Sequence, residues 1–267
     1  MTQIERKVTL LAHTQLSEAF VKTLLDKGDA EKAYFDNIYS DGQALALTAI
    51  RTCYSPGKPS EIVAKEGARY FGKKATDGGK GTDADRLIRM IHSSGHVSTL
   101  EHLSYTFAVE GVSRALLAQL TRHRVGFSFS VQSQRYVKFG SDDRSGGFDF
   151  VVPNTVSDDK AVRLSEEGEK LHVMTAIGLF YEAMENAQRS YDLLRKAGVP
   201  AEDCRAVLPN AAACNLVLTV NLRALLDFYA KRKAGRGAQS EIAGLAEDLR
   251  KAVEGVESWT TQLFEAV

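Results

Sequence analysis

Residues 15–27 (QLSEAFVKTLLDK) carry apolar side chains at helical spacing and stop at Gly28, and residues 42–51 (GQALALTAIR) repeat the pattern before Cys53, Tyr54 and Ser55. Spacing of this kind lays one apolar stripe along a helix, so both segments are expected to be amphipathic helices. Pro56, Gly57 and Pro59 break the pattern, residues 72–85 (GKKATDGGKGTDAD) read as a polar loop, and Thr82 or Asp83 is placed to cap a helix bearing Leu87, Ile88 and Ile91. Alternation then replaces helical spacing. Residues 104–112 (SYTFAVEGV) predict a strand, Ser113 a helix cap before RALLAQLTRH, and FSFSV, YVKF and FDFVVP three more extended segments. Residues 157–197 form the longest helical pattern, ended by Gly198 and Pro200, and CNLVLTV (214–220) is a continuous apolar run that suits a buried strand or helix. Two helices, NLRALLDFYAKR and SEIAGLAEDLRKAVEGVESWTTQLFEAV, close the chain. Helices and strands intermingle without a βαβ rhythm, which makes the fold class α+β.

A length of 267 residues, 44% hydrophobic and 25% charged, is ordinary for a globular chain with a sizeable core. No apolar run approaches the ~18–20 residues of a membrane span, and the first residues do not read as a secretory signal. Cys53, Cys204 and Cys214 make no C-x-x-C pair, so buried, unpaired thiols in a reducing cytoplasm are expected. Neither glycine-rich phosphate loop, G-x-G-x-x-G or G-x-x-x-x-G-K-[ST], is present; any nucleotide must be held by side chains.

Lys plus Arg and Asp plus Glu both number 34, and this balance hides a segregation. Between Gly111 and Gly140 stand Arg114, Arg122, Arg124, Arg135 and Lys138 with no acid, and between Cys204 and Ser240 six cations face Asp227 alone. In the first stretch Gln119, Arg122 and His123 fall at i, i+3 and i+4, one face if the helix continues. Arginine forks match phosphate oxygens bidentately, and Ser133, Gln134 and Arg135 add donors suited to a heterocycle's edge. Three readings follow: a site for anionic small molecules, a solvated basic face, or a module that binds nucleic-acid phosphates. Upstream, His92, His96, Glu101 and His102 lie within eleven residues, which leaves a zinc hydrolase as a further alternative, although no H-E-x-x-H is formed.

Taken together, Arg51-Thr52-Cys53-Tyr54-Ser55, Gly95-His96 with Ser98, Glu101 and His102, Arg122-His123-Arg124 followed by Ser133-Gln134-Arg135-Tyr136, Arg205 to Pro209, and Asn221-Leu222-Arg223 continuing through Arg232 to Ala238-Gln239-Ser240-Glu241-Ile242 resemble the flavin-dependent thymidylate synthases. Five matches in order span residues 51–242. The chain departs from the family pattern in having one extra residue between Arg124 and Ser133, for which Gly126 would permit a bulge, one more between Arg232 and Gln239, and Asp227 where an Asn is usual.

The resemblance implies a single domain over 1–267 with a variable loop near 56–85, helices around a central antiparallel or mixed sheet, and a homotetramer with shared active sites. It implies reductive methylation of dUMP to dTMP, with carbon from 5,10-methylenetetrahydrofolate and reducing equivalents from NADPH through FAD. By residue-wise carry-over, His96, Ser98, Arg122, His123, Arg124, Asn221, Arg223 and Asp227 are flavin candidates. Gln119, Arg122, Ser133, Gln134, Arg135, Arg205 and Arg232 are candidates for dUMP, Arg232 being the catalytic candidate that stabilises charge developing on the uracil ring. No metal, nucleic-acid or membrane partner is implied.

Overall fold

The computed structural model describes residues 1–25, 38–164 and 172–267; the expected stop of the first helix at Gly28 lies outside them. Strand β1 (Lys7–His13) leads into helices α1 (Glu18–Leu25), α2 (Asp41–Tyr54), α3 (Ile62–Phe71) and α4 (Asp83–Ser93). Strand β2 (Ser104–Ser113) passes directly into α5 (Arg114–Leu120), followed by strand β3 (Phe127–Val131), a hairpin of β4 (Ala161–Leu164) and β5 (His172–Thr175), and the long α6 (Ala176–Lys196). After the short α7 (Ala201–Cys204) come β6 (Ala213–Asn221), α8 (Leu222–Arg232), α9 (Ser240–Glu254) and α10 (Thr261–Ala266).

The main sheet runs β1-β2-β6-β3, antiparallel at every pairing. Leu10 stands opposite Phe107, Phe107 opposite Leu218 and Leu218 opposite Phe129, so one row of apolar side chains crosses all four strands. Because side chains alternate between faces, that register sends the whole apolar set to one side, where Leu47 and Ile50 of α2, Leu225 and Phe228 of α8, and Leu245 and Leu249 of α9 bury it. The opposite face is mostly small and polar, with the hydroxyls of Thr106 and Thr219 hydrogen-bonded across strands at 2.9 Å. At Gly111 β2 shifts register; φ is +67° and a Cβ would stand 2.4 Å from the Glu5 carbonyl oxygen, so only glycine fits.

Caps anticipated from the sequence are formed. Thr82 closes a capping box with Asp85, and the Ser113 hydroxyl accepts the Leu116 N–H at 3.0 Å while donating to Glu241 of α9 at 2.6 Å. A smaller apolar cluster of Phe139, Phe148, Phe150, Met184 and Tyr191 packs loop 132–156 on α6. Its backbone is satisfied by side chains: Phe139 N–H donates to the Tyr191 hydroxyl and Phe148 N–H to Gln188 Oε1.

Several expectations change. The helical pattern over 157–197 is helix only from Ala176, with Ala161–Leu164 and His172–Thr175 forming a hairpin instead. YVKF is a turn whose Val137 N–H bonds back to the Ser133 carbonyl, and FDFVVP is extended but its strand pairing among the described residues is limited to isolated bridges from Phe150 to Gln3 and Ala212. The segment 56–85 is not all loop, since α3 occupies its middle, and the last helical pattern divides at Gly255. Cys204 and Cys214 are buried as expected, but Cys53 is exposed at the end of α2.

The face assignment has a direct test. Phe107→Ala is expected to cost about 3–5 kcal/mol of unfolding free energy through the cavity it leaves. Ser128→Ala, on the open face, should shift stability by no more than about 0.5 kcal/mol. Urea denaturation followed by circular dichroism checks both, and equal losses would contradict the register.

Candidate active site

At one end of the sheet, β6 hands over to α8 beside the turn that feeds β3. Asn221 organises this junction: its N–H donates to the Gly126 carbonyl at 3.1 Å and its Oδ1 accepts the Ala224 N–H at 2.9 Å, capping α8. Leu222 N–H reaches the Leu103 carbonyl at 2.8 Å, tying the helix start to the end of the turn Val97–His102. Opposite, Phe127 N–H bonds to the Arg124 carbonyl, and Gly126 at φ +74° closes the turn.

A cavity of about 400 Å³ opens here, lined by Arg122, His123, Arg124, Asn221, Arg223 and Asp227, six of the eight flavin candidates. Glu101 and Lys231 complete its charged wall. Arg223, Asp227 and Lys231 recur every fourth residue on α8, so a helix presents all three along one stripe. Glu101 pairs with Arg223. Four cations against two carboxylates leave the lining positive, and the N-terminus of α8 adds the positive end of its dipole. Sequence reading overlooked that helix end and Lys231; the i, i+4 spacing from Asp227 was the available signal for the lysine.

His123 follows α5, which stops at Leu120, so the anticipated common face of Gln119, Arg122 and His123 does not form. Gln119 instead donates to Gln239 Oε1 at 2.5 Å. The His123 ring meets Phe228 edge-on with centroids 4.9 Å apart, and Arg232 Nε donates to His123 Nε2 at 3.1 Å. Burial, followed by the charges of Arg232, Lys231 and Arg122, holds the His123 pKa below the usual imidazole value against the opposing pull of Asp227. The ring is therefore neutral near pH 7 and accepts.

His96 and Ser98 lie off this wall, on the turn carrying Glu101; the Tyr54 hydroxyl is 2.9 Å from His96 Nδ1. Among the dUMP candidates only Arg122 lines the cavity; Gln119, Ser133, Gln134, Arg135, Arg205 and Arg232 do not, although Arg232 reaches His123 of its wall. Arg135 pairs with Glu202 at 2.8 Å, one turn of chain from Arg205, while Gln134 is buried and Ser133 Oγ accepts the Arg135 N–H at 3.2 Å. The zinc alternative is not supported: among the described residues no three His, Cys, Asp or Glu stand together as a metal site, so His92, His96 and His102 do not converge. Burial also lowers the His92 pKa. No helix among the described residues is long and apolar enough to cross a membrane.

The same architecture occurs in solved nucleotide-modifying enzymes. A UMP/dUMP methylase from Streptomyces cacaoi, solved with 5-Br dUMP, superposes with a TM-score of 0.66 at 22% identity, covering 99% of this chain and 96% of that one. Thymidylate synthase X from Helicobacter pylori, solved with FAD and dUMP, gives 0.56 at 22% identity over 98% of both chains. These likenesses show that the chain shares the fold of those structures. A family model described as thymidylate synthase complementing protein matches residues 37–257. The flavin-dependent thymidylate synthase of Geobacter sulfurreducens is 38% identical over 216 residues, 81% of this chain and 79% of the relative, and that of Clostridium tetani 33% identical over 230, covering 80% and 78%. The chain belongs to the flavin-dependent thymidylate synthase family. That membership supports an enzyme and gives no support to the nucleic-acid-binding alternative.

Gly126 offers a test of the junction. A Cβ there would stand 2.6 Å from Ala224 Cβ and 2.7 Å from Asn221 Nδ2, whereas at Gly146, also at positive φ, nothing lies within 4 Å. Left-handed strain of about 1–2 kcal/mol is common to both alanine variants. Gly126→Ala should therefore melt at a lower temperature than Gly146→Ala and retain less flavin after gel filtration; equal behaviour would show that the contact with Asn221 is not limiting.

Proposed function

We propose that the enzyme converts dUMP to dTMP, using 5,10-methylenetetrahydrofolate as carbon donor and FAD reduced by NADPH. The observation that carries this reading is the convergence of Arg122, His123, Arg124, Asn221, Arg223 and Asp227 on one cavity. The donor set fits an anionic nucleotide cofactor, because guanidinium forks and a helix N-terminus both complement phosphate oxygens. In this reading Arg122, Arg124 and Arg223 compensate the diphosphate. Asn221 and Asp227 border it from α8, and His96 and Ser98 approach from the adjoining turn. When bound, the flavin supplies hydride to carbon 6 of the uracil. Arg232 holds a cation next to the cavity through His123 and stabilises negative charge that builds on the ring.

Ser133, Gln134, Arg135 and Arg205 lie outside that lining, and we assign them to dUMP. Their separation from the cavity supports a homotetramer in which one subunit's Ser133–Arg135 segment completes another's site, with Gln119 beside it. Ser133 serves as a binding group in this assignment; among the described residues its one side-chain hydrogen bond is the Arg135 N–H, and no base is at hand to activate it. Residues 1–267 are taken as one domain, since bridges from Phe150 to Gln3 and Ala212 join the smaller cluster to the N-terminal and β6 segments. A cytoplasmic setting is consistent with three unpaired cysteines.

The purified protein is expected to be yellow and to form dTMP when supplied with dUMP, methylenetetrahydrofolate and NADPH. A colourless protein that makes no dTMP with added FAD would end the proposal. Arg232→Ala should lower turnover by about 10²-fold or more, the scale of a lost donor to developing charge. Lys233→Ala, whose cation lies over the Tyr229 ring, should remain within a few-fold of the parent. Similar small losses in both would place the functional arginine elsewhere.

A further inference from the structure

Arg232 is the last residue of α8 and has a long, flexible side chain, yet its role requires a guanidinium fixed in direction. Among the described residues the one hydrogen bond of that side chain is the 3.1 Å contact from Nε to His123 Nε2. That contact uses the inner N–H of the fork and leaves both terminal nitrogens for a ligand. The acceptor is itself immobilised. His123 N–H is bound to the Leu120 carbonyl at 3.0 Å, and its ring is wedged between Phe228 and Phe127, with centroids at 4.9 and 6.0 Å.

We propose that His123, in its neutral form, is the positioning residue that aims Arg232 at the pyrimidine of the substrate. The inference rests on the assignment of Arg232 to dUMP and adds a role for His123 distinct from flavin binding. The bond exists only while Nε2 keeps its lone pair, because a protonated imidazole has two donors and no acceptor. The charges that face the ring come from two elements: Arg122 on its own turn, and Arg232, Lys231 and Asp227 on α8. Three cations against one carboxylate oppose protonation, in agreement with the lowered imidazole pKa. Acid must eventually break the bond. As pH falls through the His123 pKa, Arg232 loses its partner and meets a second positive charge, so substrate affinity held at neutral pH is lost on the acid side.

The test is dUMP binding to the full-length protein at saturating FAD, measured by titration calorimetry from pH 5 to 8.5 for the parent, His123→Gln, His123→Phe and Arg232→Ala. Glutamine keeps an uncharged acceptor near the Nε2 position, while phenylalanine keeps only the ring. His123→Phe should weaken dUMP binding about tenfold at pH 8, the scale of a hydrogen bond to a charged group. His123→Gln should stay within about threefold of the parent at pH 8 and fall less steeply in acid. The dUMP phosphate titrates in the same range, but it does so for every variant, and the difference between parent and His123→Gln isolates the imidazole. If His123→Gln follows the parent's pH profile, or both His123 variants bind dUMP as the parent does while Arg232→Ala is defective, positioning by His123 is excluded and the assignment of Arg232 survives. Unchanged binding in Arg232→Ala would instead remove the assignment on which the inference stands. Should His123→Phe not fold, the comparison of parent with His123→Gln decides alone.

Discussion

The junction at Asn221 is the constraint on which the site depends. One residue ends β6, caps α8 with its side chain, and receives the β3 turn through its backbone N–H bond to Gly126. A strand end, a helix start and a loop are thereby fixed to each other within a few ångströms. Because α8 is then rigidly directed, residues four apart along it, Arg223, Asp227 and Lys231, project into the same cavity that Arg122 and Arg124 reach from the turn. The apolar row from Leu10 to Phe129 matters to function through this junction: it sets the register that brings β3 alongside β6 and leaves Gly126 opposite Asn221.

Gathering cations carries a cost in the protein alone. Arg122, Arg124, Arg223 and Lys231 repel one another, and Glu101 and Asp227 offset the repulsion only in part. The Glu101–Arg223 pair is about half exposed, where such pairs contribute about 0–1 kcal/mol. What remains favours an anion in the cavity, and an anionic ligand that binds only the folded state raises its stability by mass action. His123 takes part in the same balance, since burial first and the crowding cations second hold its pKa down.

Local signals in the sequence account for most of the fold. Ser113 and Thr82 are legible as caps because a short polar side chain before an apolar run serves its own backbone, and β2 and β3 are legible because alternation holds through β3 and through β2 as far as the register shift at Gly111. The failures involve pairing, which local pattern does not specify. Residues 161–164 sit within a helical pattern yet pair with 172–175, and YVKF has strand-like residues but no neighbouring strand, so it turns back on Ser133. The Arg122–His123–Arg124 motif was readable as chemistry, but its geometry was not: helix spacing joined Gln119 to His123, whereas α5 ends at Leu120 and sends them to different partners. Glu257 was invisible for the same reason. Its buried carboxylate gathers Trp259 from two residues on and Ser40 and Gly42 from far away in the chain, contacts with α2 that only folding brings together, and burial raises its pKa.

The absence of a glycine-rich phosphate loop in the sequence suggested that side chains alone must hold a nucleotide. The structure adds a helix N-terminus to the arginines. The start of α8 stands in the cavity wall, and Arg223 in its first turn puts a full charge next to the partial charge of the helix end. An arginine there would normally disfavour the helix, because like charges meet at its N-terminus. Glu101, delivered by the neighbouring turn, offsets that conflict in the free protein. An anion in the cavity would meet the same need more completely by facing Arg122 and Arg124 as well. Charge crowding at Arg223 would therefore be relieved most fully by the anion proposed for the cavity, which would tie the helix's own electrostatics to occupancy of the site.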